Sequence, residues 1–112
     1  MRLKTDFVTN SSSTSFILTV HADELTAEEF VNELWNDDEF LKLKKYYNFE
    51  DTKEEVIIDL REFYKYFPAK KGEAEVVFGD EDNNAAGRVF DYCLRPGFEN
   101  PKFSIVFHEF HR

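Results

Sequence analysis

Residues able to do chemistry are spread thinly along this chain. Asp80, Asp82, Asn84 and Asp91 stand at the first, third, fifth and twelfth places of a calcium-type loop, and hard cations take such oxygen ligands. The pattern departs from that chemistry in three places. Ala85 sits where the sharp turn needs Gly, Gly87 sits where an apolar residue belongs, and Asp91 is shorter than the bidentate Glu that closes such a loop. The plainer reading is an acidic turn in which Asp82 or Asn84 caps the next helix. His108 and His111 are three residues apart, which on a strand points them to opposite faces, and no Cys–His cluster joins them. No metal or cofactor is therefore expected. Cys93 is the single cysteine, so no disulfide can form within the chain. As a nucleophile it would need a nearby base; its helical neighbours are apolar, which reads as a buried core thiol. Asp91 and Arg95 have the i, i+4 spacing of a simple pair. The run Asn10 to Ser15, NSSSTS, is rich in hydroxyls but lacks the Gly-rich, Lys-bearing frame of a phosphate loop, and reads as a polar loop. None of these sets completes a catalytic constellation.

Carboxylates are the denser signal. Asp23 to Glu39 holds eight of them and no Lys or Arg. Six, Glu28, Glu29, Glu33, Asp37, Asp38 and Glu39, are candidate partner-binding residues. On a helix, Glu29, Glu33 and Asp37 share one side. A helix shaped for stability alone gains from i, i+4 Glu–Lys pairs and avoids like-charge ones, so the uninterrupted run favours a binding face over a merely solvated one. The formal charge of −9 is concentrated here: residues 23–59 carry 13 acids against 4 Lys, whereas residues 60–112 carry 9 acids against 8 bases. Direct contact with nucleic acid or an anionic membrane needs a positive surface, and this distribution argues against both. A basic protein fits, because opposite fields steer encounter.

The elements that must position these residues follow from pattern. Leu3 to Val8 has the mixed character of an edge strand, and Phe16 to Val20 the β-branched and aromatic content of a buried one. The two could pair as a hairpin. Thr26 and Glu29 have capping-box spacing, with Leu25 and Phe30 placed as a hydrophobic staple, so a helix starts at Thr26 with Phe30, Val31, Leu34 and Trp35 on its apolar face. A second short helix carries Phe40, Leu41, Leu43 and Tyr47. Thr52 and Glu55 repeat the capping box, and Val56, Leu60, Phe63 and Phe67 extend a third helix to Pro68; a strand over Val56 to Leu60 is the competing reading. Ala69 to Gly72 reads as a basic turn, Glu73 to Phe78 as a strand, Ala85 to Leu94 as a helix, Pro96 to Pro101 as a loop, and Phe103 to Phe110 as the final strand.

The opening Lys4 to Phe16, KTDFVTNSSSTSF, resembles the start of a group of small bacterial proteins that share a Lys-x-Asp-Phe-Val-Thr-Asn-Ser-Ser-Ser pattern ending in Ser-Phe. The resemblance covers about an eighth of the chain. It implies a bacterial or phage source and a segment read by a partner; it brings no activity and no catalytic residue with it.

The expected architecture is α+β over a single domain spanning residues 1–112: an antiparallel sheet of about four strands, near 5–8, 15–21, 73–78 and 103–110, with three to four helices mainly on one face. Phe30, Leu34, Trp35, Leu60, Phe63, Val76, Ile105 and Phe107 are the expected core. With 13 Phe, 5 Tyr and 1 Trp, a few buried rings can dominate it. No apolar run approaches the roughly 18–20 residues of a membrane span, and the polar start offers no signal segment, so a cytoplasmic protein is expected. The expected function is non-enzymatic: an acidic protein that engages a basic partner through the helix near residues 26–39, in one version an inhibitor that imitates the charge of DNA. The alternatives are a metal-dependent module or enzyme built on Asp80 to Asp91, and an oligomer-forming subunit that uses its surplus aromatics.

Overall fold

The computed structural model describes residues 13–79 and 85–111. In chain order they form β1 (Ser13–Leu25), α1 (Ala27–Trp35), α2 (Asp38–Tyr46), α3 (Lys53–Glu62), β2 (Ala69–Gly79), α4 (Ala85–Cys93), β3 (Phe98–Glu99) and β4 (Phe103–His111). The strands make one antiparallel sheet in the order β2-β1-β4-β3. The α+β class, the antiparallel sheet and the helices on one side of it are as the sequence leads one to expect.

Alternation decides which face the helices cover. Phe16, Leu18 and Val20 of β1, Val76 of β2, and Phe103 and Ile105 of β4 are all buried. Their neighbours in sequence, Glu75 and Val106, are exposed. A strand with one face on a core and one in water has this period-2 pattern. Phe30 of α1 packs on both Phe67 and Phe103, with ring centroids 4.9 and 4.8 Å away, and Phe98 stacks on Phe103. Val31, Leu34, Phe40, Val56, Leu60, Val89 and Leu94 complete the helical half of the core.

Helix starts follow their caps. In both capping boxes the reciprocal bonds form: the Thr26 amide donates to Glu29 and the Glu29 amide to Thr26, and Thr52 and Glu55 do the same. Asp37 caps α2 by accepting from the Phe40 amide at 2.9 Å. At α4 the acceptor comes from another element. Asp59 of α3 takes the Ala85 and Ala86 amides on one carboxylate oxygen, at 2.7 and 3.3 Å. Asp82 and Asn84, the expected caps, lie outside the described residues, as does the strand expected near 5–8.

Several boundaries differ from expectation. β1 begins at Ser13, so Ser13 to Ser15 are strand and not loop. It runs on to Leu25 through a register shift between Val20 and Glu24, which delivers Leu25 into the core just before the Thr26 cap. β2 begins at Ala69, so the basic Ala69–Gly72 segment is also strand, held opposite Val20 to Leu25. α3 stops at Glu62, five residues short of Phe67. Phe63, expected in the core, caps its end and is 60% exposed. Phe107 has core-facing parity opposite Phe16 but is left partly exposed, with the Arg95 guanidinium 5.9 Å from its ring. Trp35 is half-buried; it packs on Phe40 at 5.2 Å and carries the Lys44 ammonium over its ring. The Pro96–Pro101 segment contains the two-residue β3, and Asn100 folds the turn beyond it by accepting from the Lys102 and Phe103 amides.

Candidate acidic surface

The six carboxylates expected to form one face are divided by the fold. Glu28 pairs with Arg61 of α3. Glu33 pairs with Lys102 at 3.3 Å and accepts from Asn100 at 2.8 Å. Glu29 belongs to the capping box, and the Thr26 amide that donates to it holds its carboxyl below the ordinary value of 4.5. Asp37 is the α2 cap, and Glu39 pairs with Lys42 at 3.5 Å. Asp38 alone among the six has neither a base nor a donor among the described residues. The absence of Lys and Arg between residues 23 and 39 is a property of the sequence only, because Arg61 and Lys102 arrive from other elements to neutralise part of the run.

The open face of the sheet brings other carboxylates together. In antiparallel pairing, opposed residues share a face. One row across all four strands reads Glu73, Thr19, Ser104, Glu99, and the next reads Glu75, Ile17, Val106. Glu73, Glu75 and Glu99 are exposed, Val106 is 55% exposed, and Ile17 is half-buried. These rows contain no Lys or Arg. Neighbouring strands lie ~4.8 Å apart and alternate residues on one strand ~7 Å apart. The two Glu of β2 and the Glu of β3 therefore flank an apolar centre at opposite edges of the sheet. The alternation in Glu73 to Phe78 made these acids legible as solvent-facing, but the row that joins them to Glu99 exists only once β3 pairs with β4.

The other candidates resolve less chemistry. Cys93 is buried, and burial pushes its thiol up to about 11, which suits a core residue and not a nucleophile. Thr14 and Ser15 of the hydroxyl run are fully buried; Thr14 accepts from Arg95 at 3.1 Å and Ser15 donates to the Glu109 carbonyl at 3.3 Å. Arg95 donates to Thr14 and lies over the Phe107 ring, and the side chain of Asp91, its expected partner, lies outside the described residues. His108 is exposed on β4, and the side chain of its expected partner His111 lies outside the described residues. Among the described residues no three His, Cys, Asp or Glu side chains group to hold a metal ion; Asp80 to Asn84 lie outside them. No helix among the described residues is long and apolar enough to cross a membrane. Comparison with known protein families, with curated proteins and with solved structures finds no match.

Proposed function

We propose that this protein is a non-enzymatic binding protein that presents carboxylates to a basic partner protein. The observation that supports it best is the open sheet face, where Glu73, Glu75 and Glu99 surround the exposed Val106 with no base in the same rows. Protein interfaces combine an apolar centre with a polar rim, and rim charges of one sign select a partner of the other and speed its approach. Asp38, at the exposed start of α2, adds a carboxylate with no base paired to it among the described residues. The reading takes the form of a protein–protein contact, not a charge replica of nucleic acid, because Glu28 and Glu33 already have cationic partners.

The test compares three proteins as bait in a bacterial lysate: wild type, the open-face variant Glu73→Lys/Glu75→Lys/Glu99→Lys, and the helix variant Asp38→Lys/Glu39→Lys. None of these five residues caps a helix, so folding checked by circular dichroism should be unchanged. The expected result is a basic protein that wild type retains at low salt, releases at high salt, and loses in the open-face variant. Retention by the open-face variant, or indifference to salt, would remove the reading.

A further inference from the structure

We propose that the partner docks by adding an extended segment to the outer edge of β4, just past the end of β3; this rests on the basic-partner reading above and names how that partner is held. β3 covers little of the edge. It is two residues long and pairs only at Phe98–Ile105 and Glu99–Ser104, while β4 runs on to His111. The turn before β3 keeps it short. The Gly97 amide donates to the Leu94 carbonyl at 3.0 Å, Gly97 holds a left-handed φ of +98°, and Pro96 has no amide to offer a ladder. The chain therefore joins β4 only at Phe98. The step left there is an open groove of about 410 Å³, lined by Pro96 to Glu99 and by Ser104 to Val106. Pro96, Glu99 and Val106 within it are exposed.

Ladder bonds fix which backbone groups face the gap, since successive residues of an antiparallel strand bond to opposite sides. The Lys102 carbonyl accepts from His21 on the β1 side, and the Phe103 carbonyl accepts from Asn100 on the β3 side. The register with β1 is unbroken from Phe103 to Phe107, so Phe103, Ile105 and Phe107 aim their amides and carbonyls away from β1. Phe103 and Ile105 meet the β3 hairpin; Phe107 meets no strand among the described residues. Such an edge templates another strand. Side chains then select its charge. A residue set opposite Val106 lies ~7 Å along the strand line from Glu99 on the open face. Glu109 shares that face, because its partner Ser15 alternates with Ile17. A lysine opposite Val106 can lay its stem on that side chain and carry its ammonium to Glu99, and a following base reaches Glu109. The residue between them turns to the other face, beside Phe107, which is 39% exposed and has the Arg95 guanidinium over its ring. An apolar side chain suits that position and a base is repelled. The occupant is thus an extended segment that alternates basic and apolar residues.

The probe is the peptide acetyl-Lys-Val-Lys-Val-Lys-amide, titrated into the wild-type protein by isothermal titration calorimetry. Two analogues carry N-methyl groups, one on both Val amides and one on the second and third Lys amides, and a third has Glu in place of every Lys. A Val opposite Phe107 turns its amide toward β4, and the Lys amides point to solvent. Methylated Val should therefore abolish binding and methylated Lys should leave it, while the Glu peptide should not bind. Amide hydrogen exchange at Phe107, followed by NMR, should slow when the Lys peptide is added. Glu99→Lys should weaken the Lys peptide by roughly tenfold. Absence of saturable binding by the Lys peptide, or unchanged exchange at Phe107, would overturn the proposal. Equal effects of the two methylations, with the Lys peptide still preferred over the Glu peptide, would overturn strand addition while leaving the basic-partner reading in place. Equal binding of the Lys and Glu peptides would remove both.

Discussion

Asp59 sits inside α3 yet its carboxylate does its work at another helix, where it accepts the Ala85 and Ala86 amides. Removing it leaves two helix-end donors without their acceptor. Asp59→Ala should therefore destabilise by about 1–3 kcal/mol in urea unfolding, whereas Ile58→Ala, at a half-exposed neighbour, should change stability by less than about 1 kcal/mol. Cys93 offers a test in pH. Only the thiolate is nucleophilic, and burial raises this thiol from 9.0 to about 11. In the folded protein it should resist a disulfide reagent at pH 8 and react once unfolded. Because the folded value is the higher one, the protonated thiol favours the folded state below pH 9.0, and that contribution is lost as pH rises from 9.0 through about 11. The opposite sign holds for Glu29, whose value is depressed by the Thr26 amide: its contribution is present above 4.5 and is lost as pH falls through the lower folded value. Cys93 was legible as a core thiol from its apolar helical neighbours. The Asp59 cap was not, since nothing in the local pattern of α3 shows which other helix its carboxylate will meet.

At the level of elements, caps were the most readable feature because their chemistry is local. Thr52→Ala should cost about 1 kcal/mol by removing the acceptor for the Glu55 amide, and Thr26→Ala should lower stability in the same direction, both measured by thermal unfolding. Where a boundary depended on distant partners the pattern misled. Phe63 and Phe67 continue the helical spacing of Val56 and Leu60, but α3 ends at Glu62 and Phe67 instead reaches the Phe30 ring. Lys70, Lys71 and Gly72 look like a turn, yet the antiparallel partner in β1 extends that far. β3 is too short for any periodicity to register. The edge strand β2 carries a further prediction. Tyr66 occupies the outward amide and carbonyl of Val77, and free strand edges template self-association. Tyr66→Phe should leave both groups exposed, reduce stability by about 1 kcal/mol, and raise the concentration-dependent mass seen by light scattering.

Across the whole molecule, charge and burial divide the work. One sheet face is sealed by helices around Phe30 and Phe103, and the other carries carboxylates about an apolar strip. The net negative charge was legible from composition, but its arrangement was not. Six carboxylates near α1 looked like one field, and the fold assigns Glu28 and Glu33 to bases from other elements and Glu29 and Asp37 to caps. What chain order could not convey is which strands lie side by side, and hence that Glu73 and Glu99 share a row. The central claim is that this open face engages a basic partner. The measurement that tests it most directly is the retention of one captured lysate protein by wild type and by Glu73→Lys/Glu75→Lys/Glu99→Lys, each across a salt series. The account predicts a basic protein that wild type releases as salt rises and that the variant fails to hold at any salt. Equal retention by the two proteins, with no dependence on salt, would contradict it.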